Sequence, residues 1–252
     1  MLRNITELMG YALKAEDGKI GRCRDFLFDD QRWTIRYMVA DTGTWLSDRA
    51  VLVSPISLGV PDREAKVFPV KLVREKIEKS PPLAENAPVS RQYEARWMDH
   101  YGWSYYWFGG GLWGVGTSPA ELYVKGKEKV KGKDSDPEES HVRSVNEVTG
   151  YHLQARDGEI GHLEDFLVDE LTWSICYLVV DTRNWLPGRH VLVATACVDS
   201  VDWARGTVSV NLTTDAVKNS PEYDPTAPIS ADYERDLRQH YGLPIEHGMG
   251  PL

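Results

Sequence analysis

Two histidines at matched positions are the first residues in this sequence whose type could do chemistry. His100 and His240 each end a predicted helix and precede Tyr-Gly. Such an imidazole could bind a ligand or act as a general base. It also suits a helix end, where it bonds a backbone carbonyl or meets the negative end of the helix dipole. We favour this structural role.

Four other histidines show no metal-ligand pattern along the sequence. They are His152, His162, His190 and His247. None has a partner at ligand spacing along the sequence, and a zinc site needs several nitrogen, sulfur or oxygen ligands at close spacing. The sequence therefore predicts no metal ion.

Six aspartates form matched pairs, and paired carboxylates can do acid–base work. They are Asp25, Asp29, Asp41, Asp165, Asp169 and Asp181. All flank predicted strands, where an aspartate accepts local backbone hydrogen bonds, so we expect structural roles. Arg49 and Arg189 also recur, and we expect each to pair with one of these aspartates in a salt bridge of the fold.

The cysteines and the cofactor motifs also indicate no catalytic or cofactor site. Cys23, Cys176 and Cys197 are scattered and form no CxxC pair, so neither a zinc site nor a redox pair is indicated. No GxSxG, P-loop or HExxH motif is present. The glycines at 109–111 and 114 do not follow a strand in a βαβ setting. We predict no catalytic residues and no cofactor.

The elements that would position these residues occur twice, because the chain repeats itself at an offset of about 140 residues. Glu7–Leu46 aligns with Glu147–Leu186 without a gap, and positions 4–102 contain roughly 38 identities in 99. So long a period indicates a tandem domain duplication rather than a solenoid. We predict two repeats, 1–102 and 141–252, separated by 103–140, whose lysine-rich and then acidic end reads as a solvated linker.

Each repeat has the pattern of short strands followed by helices. Asp17-Gly18 and Asp157-Gly158 indicate hairpin turns. Trp33, Ile35, Tyr37 and Val39 alternate as in a strand, as do their counterparts in the second repeat. Short strands joined by tight turns favour a small closed barrel, since closure removes exposed edges. Near each repeat's end, Ser90 and Ser230 are expected to cap a helix ended by Gly102 or Gly242.

The order of these motifs resembles the PRC-barrel family. The segments that carry the resemblance are DG-x-IG, DFLVD, W-x-I-x-YLVVDT, NWL-x-GR-x-VLV and L-T-x-D-x-V-K-N-SP, over residues 5–80 and 145–220. This family includes the cytoplasmic barrel of the photosynthetic reaction-centre H subunit and the C-terminal barrel of the ribosome-maturation factor RimM. The resemblance implies a mainly β fold, two small PRC-type barrels in tandem, each followed by one or two helices. It also implies an adaptor that docks onto proteins, with no catalytic residues.

Composition and charge limit the partners. The net charge is −9, and residues 141–252 hold 8 basic against 17 acidic residues. Such a surface repels phosphate backbones, so nucleic acid is a disfavoured partner. No apolar run is long enough for a membrane-spanning helix, and no secretory signal is evident. We expect a cytoplasmic protein, with peripheral membrane association left open.

The run HYGWSYYWFGGGLWGVG, residues 100–116, occurs in the first repeat alone. Its aromatic residues are predicted to form an interface between the repeats or between subunits, since aromatic side chains are enriched in interfaces. They are Tyr101, Trp103, Tyr105, Tyr106, Trp107, Phe108 and Trp113. A ligand cage and contact with another protein are the alternatives. We expect tightly docked repeats or a homo-oligomer.

We therefore predict a non-enzymatic adaptor or scaffold that mediates protein–protein association. The resemblance implies a link to photosynthetic or membrane electron-transfer complexes. One alternative is a small-ligand binder or enzyme whose site lies between the barrels, under the aromatic run at 101–113. A second is a RimM-like factor associated with RNA or the ribosome.

Overall fold

The computed structural model describes residues 1–47, 49–83, 89–122, 141–182 and 189–244. The chain divides into two compact units. Unit 1 comprises Met1, residues 3–147 and residues 168–175, and unit 2 comprises Leu2, residues 148–167 and residues 176–252. The aromatic run thus belongs to unit 1, as does a short piece of the second sequence repeat. The charged part of the predicted linker, 123–140, lies outside the described residues.

The fold is mainly β, as predicted. The strands of the first repeat are β1 (Leu2–Asn4), β2 (Ala12–Ala15), β3 (Gly18–Asp29), β4 (Thr34–Asp41), β5 (Ala50–Val53) and β6 (Val67–Pro69). Those of the second are β7 (Val142–Ser144), β8 (His152–Gln154), β9 (Glu159–Asp169), β10 (Ile175–Asp181), β11 (His190–Ala194), β12 (Val198–Asp202) and β13 (Thr207–Val210). Both hairpin pairs are present where the sequence predicts them. Both alternating strands are present too, but Trp33 and Trp173, which were predicted to begin them, precede β4 and β10 and have positive φ.

The helices are short. The α-helices are α1 (Arg74–Glu78), α2 (Arg91–Tyr101), α3 (Pro119–Leu122), α4 (Val145–Val148), α5 (Thr214–Lys218) and α6 (Ala231–His240), and 3-10 turns occur at Thr6–Leu8, Gly43–Leu46, Pro55–Ser57 and Thr195–Cys197. Ser90 and Ser230 cap α2 and α6, as predicted, by accepting hydrogen bonds from Tyr93 N and Tyr233 N. Within the described residues, no helix is long and apolar enough to cross a membrane.

The strands form two sheets. One has the order β5-β4-β3-β2-β6, with β7 also paired to β3. The other has the order β11-β10-β9-β8-β13-β12, with β1 also paired to β9. Strand β7, the first strand of the second repeat, therefore belongs to the sheet of the first repeat. Its Ser144 lies opposite Leu27 and its Val142 lies opposite Asp29.

The closed barrels that the sequence predicted are not found, because the end strands of neither sheet pair with each other in the part of the chain that is described. In unit 1 the reason is local. The segment after β5 enters a 3-10 turn at Pro55, whose ring nitrogen cannot donate a ladder hydrogen bond. Two isolated bridges, Leu58 with Val70 and Asp62 with Val67, are the pairing that follows beside β6 in the described residues.

The matched Ile-Gly pairs of the two repeats mark a close approach of two strands. A Cβ atom on Gly21 would lie 1.9 Å from the carbonyl oxygen of Asp41, and one on Gly161 would lie 2.1 Å from that of Asp181. Gly21 also has φ of +137° and Gly161 has φ of +136°, values that other residues rarely adopt. Glycine is therefore required at this point of each sheet.

Both faces of β4 are buried, although its sequence alternates. Every residue from Thr34 to Ala40 is buried, including Arg36. The alternation of Ile35, Tyr37 and Val39 predicted one buried face. The aromatic run packs against Tyr37 and Val39, and it also covers Arg36, whose guanidinium lies 3.9 Å from the centroid of the Tyr106 ring.

Candidate functional site

The aromatic segment, residues 101–113, packs within the core of unit 1. Tyr101, Trp103, Tyr106 and Trp113 are buried and join a cluster that contains Trp97 of α2 and two residues of β4. The rings of Tyr101 and Trp103 stack with centroids 4.7 Å apart. Burial of such rings supplies a large share of the apolar surface that holds a small domain together.

A buried arginine of β4 anchors this segment. Arg36 has no solvent exposure, and its guanidinium lies 3.9 Å from the centroid of the Tyr106 ring and 4.8 Å from that of Trp113. It donates to Asp29 Oδ2 at 2.9 Å and to the Leu112 carbonyl at 2.6 Å. The charge is therefore paired and hydrogen-bonded, as a buried charge must be.

A second buried carboxylate, Glu94 of α2, lies at the centre of another network. Tyr106 Oη donates to Glu94 Oε1 at 2.6 Å, and Tyr37 Oη donates to the same oxygen at 2.9 Å. Arg91 Nη1 donates to Glu94 Oε2 at 2.9 Å. Burial raises the pKa of Glu94 and outweighs the opposing effects of Arg91 and the two tyrosines.

A third arginine binds the glycine-rich turn of the segment. Arg32 donates through Nη2 to the Gly109 carbonyl at 3.1 Å and through Nη1 to the Gly111 carbonyl. These backbone carbonyls come from a turn closed by a hydrogen bond of 2.8 Å from Gly111 N to Gly114 O. The segment is thus fixed at its backbone as well as at its rings.

The repeat itself contains a signal for these arginines. At the positions of Arg32, Arg36 and Arg91, the second repeat has Thr172, Cys176 and Ala231. The second repeat also has no aromatic run. The three arginines therefore occur only in the repeat that holds the segment, and this difference between the repeats is the signal that the sequence contains.

The seven residues predicted to form an interface are brought together, but within unit 1. Four of them are buried there. Tyr105, Trp107 and Phe108 are half-buried, and the rings of Tyr105 and Trp107 stack at 4.6 Å. A role of these three in contact with a second chain stays a prediction.

A separate cavity of about 300 Å³ opens on unit 1. Its walls are mainly apolar and include Ile5, Leu8, Ile56, Leu58, Phe68 and Trp173. Among the residues that the structure describes, none of its lining comes from the aromatic segment. The predicted ligand site under that segment therefore does not coincide with this cavity, which is of the size that small ligands or anchor side chains occupy.

The rim of this cavity combines exposed apolar residues with basic ones. Val60 is 87% exposed and Leu171 is 69% exposed, and both line the cavity. Arg63 and Lys71 also line it. Arg63 donates to Glu170 Oε1 at 3.3 Å, so this rim carboxylate is already paired, and Arg3 binds the same oxygen.

No protein-family model matches this chain, and no curated protein matches it.

The recurring histidines have the structural role that the sequence favoured. His100 Nε2 lies 2.8 Å from the Lys76 carbonyl, and His240 Nε2 lies 2.7 Å from the Ala216 carbonyl. Each imidazole thereby ties the last helix of its repeat to the short helix before it. Neither histidine lies beside the cavity.

The recurring aspartates mostly bind backbone amides, as predicted. Asp25 accepts from Phe26 N at 2.7 Å, and Asp165 accepts from Phe166 N at 2.7 Å. Asp29 and Asp169 accept from the turns that follow them, and Asp41 accepts from Gly43 N at 3.0 Å. Burial raises the pKa of Asp25 despite its hydrogen bonds.

The predicted partners of Arg49 and Arg189 were wrong. Arg49 Nη2 donates to the Ser80 carbonyl at 2.7 Å, and Arg189 donates to the carbonyls of Lys218 and Ser220. Backbone carbonyls at the end of a short helix therefore take the place of aspartates. Each arginine therefore has the expected structural role, but it forms hydrogen bonds to backbone carbonyls instead of a salt bridge to an aspartate.

Three of the four histidines that show no ligand spacing in the sequence lie beside a carboxylate in the structure. Strand pairing brings His152 and His162 beside Glu159, with all three ligand atoms within 4.8 Å of one another. His190 lies 2.8 Å from Glu164, and His247 is outside the described residues.

Proposed function

We propose that this protein is a non-enzymatic adaptor that docks a partner protein on the cavity of unit 1. The observation that carries the proposal is an apolar cavity of about 300 Å³ whose rim exposes Val60 and Leu171. Exposed apolar patches on a folded protein mark interaction sites. A pocket at the centre of such a patch accepts one anchor side chain, and such anchors dominate the energy of an interface.

The charge around the cavity indicates what the partner presents. Arg63 and Lys71 are exposed at the lining, whereas the whole chain carries a net charge of −9. A basic rim on an acidic protein attracts a partner with carboxylates near its anchor. The occupant that fits is therefore an apolar or aromatic side chain flanked by acidic residues.

The polar groups at the cavity support docking more than catalysis, because they form hydrogen bonds and ion pairs that stabilise the fold. Ser118 Oγ donates to Glu121 Oε1 at 2.9 Å, and Glu121 also accepts from Ser118 N. This is the arrangement of a helix cap at the start of α3. Arg3 and Arg63 share Glu170.

The resemblance to PRC-barrel domains supports the same class of function, since it implies a docking module. Membership of that family is part of the proposal, as is a link to membrane electron-transfer complexes. The first repeat has the order of hairpin, two further strands, a short strand and two helices, and the second has the same order with one more short strand. A small-ligand binder remains the competing function, with its site in this cavity.

A displayed peptide library tests the docking proposal on the full chain. Each peptide carries one aromatic or aliphatic residue between acidic residues, and a second library carries basic residues instead. Val60→Asp places a charge at the rim, and Val115→Asp is the matched control, because Val60 and Val115 are 87% and 88% exposed. Native mass spectrometry of the purified protein runs beside it.

The expected result is enrichment of acidic peptides that bind the unmodified chain and Val115→Asp equally, with binding lost in Val60→Asp. Equal binding to both variants, or no preference over the basic library, would overturn the docking proposal. A small molecule that copurifies with the chain and is lost in Val60→Asp would establish the competing function.

A further inference from the structure

Unit 2 brings two imidazoles and a carboxylate together on one face of the β8–β9 strand pair. His152 Nδ1 lies 3.0 Å from Glu159 Oε1. The rings of His152 and His162 lie with centroids 4.5 Å apart. One ligand atom from each of the three residues falls within 4.8 Å of the other two. The cluster lies in a different unit from the cavity and does not depend on the adaptor function.

The strands that carry this cluster explain why its members meet. His152 of β8 lies directly opposite His162 of β9, and Gln154 lies opposite Glu159. A register shift between Leu153 and Gln154 leaves one extra residue on β9. Residues three apart on a regular strand point to opposite faces, but a bulge changes this alternation. Glu159 and His162 can therefore share one face.

The first repeat shows that the fold does not need these residues. At the positions of His152, Glu159 and His162 it has Ala12, Lys19 and Arg22, and these lie on the same strand pair, with Ala12 opposite Arg22. Two basic groups there cannot bind a cation. The second repeat thus differs at three positions, and at each it has a residue with a metal-ligating side chain.

We propose that His152, Glu159 and His162 form a binding site for a divalent transition-metal ion, Zn²⁺ or Cu²⁺. Imidazole nitrogen suits both ions, and two histidines with one carboxylate are a known zinc ligand set. Ligand atoms in a tetrahedral zinc site lie about 3.4 Å apart, given bonds of 2.0–2.1 Å. The side chains of His152 and Glu159 are each 54% exposed, so small rotations can close the remaining distance.

Such a site has three protein ligands and leaves coordination positions to water or to a group of another molecule. An open position distinguishes it from a closed structural zinc site, which uses four protein ligands. The expected role is therefore binding at the surface, where the ion can bridge to a donor on a partner. Loss of the ion should leave the fold intact.

Equilibrium dialysis of the full chain against Zn²⁺ measures the stoichiometry and the dissociation constant. The repeat supplies the variants: His152→Ala, Glu159→Lys and His162→Arg each introduce the residue of the first repeat. Glu159→Gln is the conservative variant. His190→Ala is the matched control, because His190 also lies beside a glutamate, at 2.8 Å, in the same unit. Circular dichroism checks that each variant folds.

The expected result is one saturable zinc ion per chain. Loss of an outer-shell group costs roughly 10–100-fold in affinity, so loss of a direct ligand should cost at least about 100-fold. His190→Ala should bind zinc as the unmodified chain does. With Cu²⁺, the electron paramagnetic resonance spectrum should show coupling to two imidazole nitrogens, reduced to one in His152→Ala or His162→Arg.

Three outcomes would overturn this assignment. They are the absence of saturable zinc binding, equal binding in His152→Ala, His162→Arg and the unmodified chain, and a copper spectrum without imidazole coupling. Because the three residues are exposed or half-buried and differ in the first repeat, these variants should fold, which keeps each outcome interpretable.

Discussion

The guanidinium of Arg36 lies over the ring of Tyr106 at 3.9 Å and binds the carboxylate of Asp29 at 2.9 Å. Strand β4 thus holds the aromatic segment through one fully buried charge. Asp29 is also nearly inaccessible to solvent. Removing either member of such a pair leaves the other charge buried and unpaired.

Arg36→Leu should therefore destabilise the protein by about 3–5 kcal/mol. The measurement is the free energy of unfolding from urea denaturation. Arg235→Leu is the control, because Arg235 forms an exposed ion pair with Asp232, whose loss should cost less than about 1 kcal/mol. Similar losses in the two variants would show that the Arg36 pair does not hold the segment.

Trp113→Ala should be among the most destabilising single changes in the segment, at about 3–5 kcal/mol. Trp113 is fully buried, and its Nε1 donates to the Thr172 carbonyl at 2.7 Å. Phe108→Ala, at a half-buried position, should cost clearly less. Urea denaturation, monitored by near-ultraviolet circular dichroism, measures the free energy of unfolding of both variants. Equal costs would mean that the segment is not packed as described.

Glu94 should make stability depend on pH in a defined direction. Burial raises its pKa in the folded state above the ordinary 4.5. The folded state then holds this proton more tightly than the unfolded state does, so its contribution is complete below about pH 4.5 and is lost as pH rises through the folded pKa. In Glu94→Gln the amide does not titrate.

The stability of the unmodified chain relative to Glu94→Gln should therefore decrease as pH rises above about 4.5. Denaturation curves of both proteins at a series of pH values measure this difference, and other titrating groups cancel because both chains contain them. A difference that is constant with pH, or that increases, contradicts the assigned direction.

Gly21→Ala should destabilise unit 1 by about 2–5 kcal/mol, from an unfavourable φ and from overpacking. The new Cβ would lie 1.9 Å from the Asp41 carbonyl oxygen, so β3 or β4 must move. Gly110→Ala is the control, since a Cβ there meets nothing within 4 Å. Thermal unfolding of the two variants gives the comparison. An unchanged midpoint in Gly21→Ala would show that the strands do not approach so closely.

The repeat, the mainly β composition and most element positions could be predicted from the sequence. These features depend on local patterns, such as the alternation through Ile35, Tyr37 and Val39 or the serine caps at Ser90 and Ser230. Barrel closure could not be predicted in the same way. It depends on a pairing between distant strands that the turn at Pro55 interrupts.

The sequence by itself determined which residues the aromatic segment contains and that only one repeat has it. The tertiary structure decided that the segment is packed within unit 1 on Arg36 and Glu94. It also decided that His152, Glu159 and His162 meet. The physical reason is the same in both cases: a contact between strands or between a strand and a distant segment depends on register, and register is not encoded in spacing along one strand.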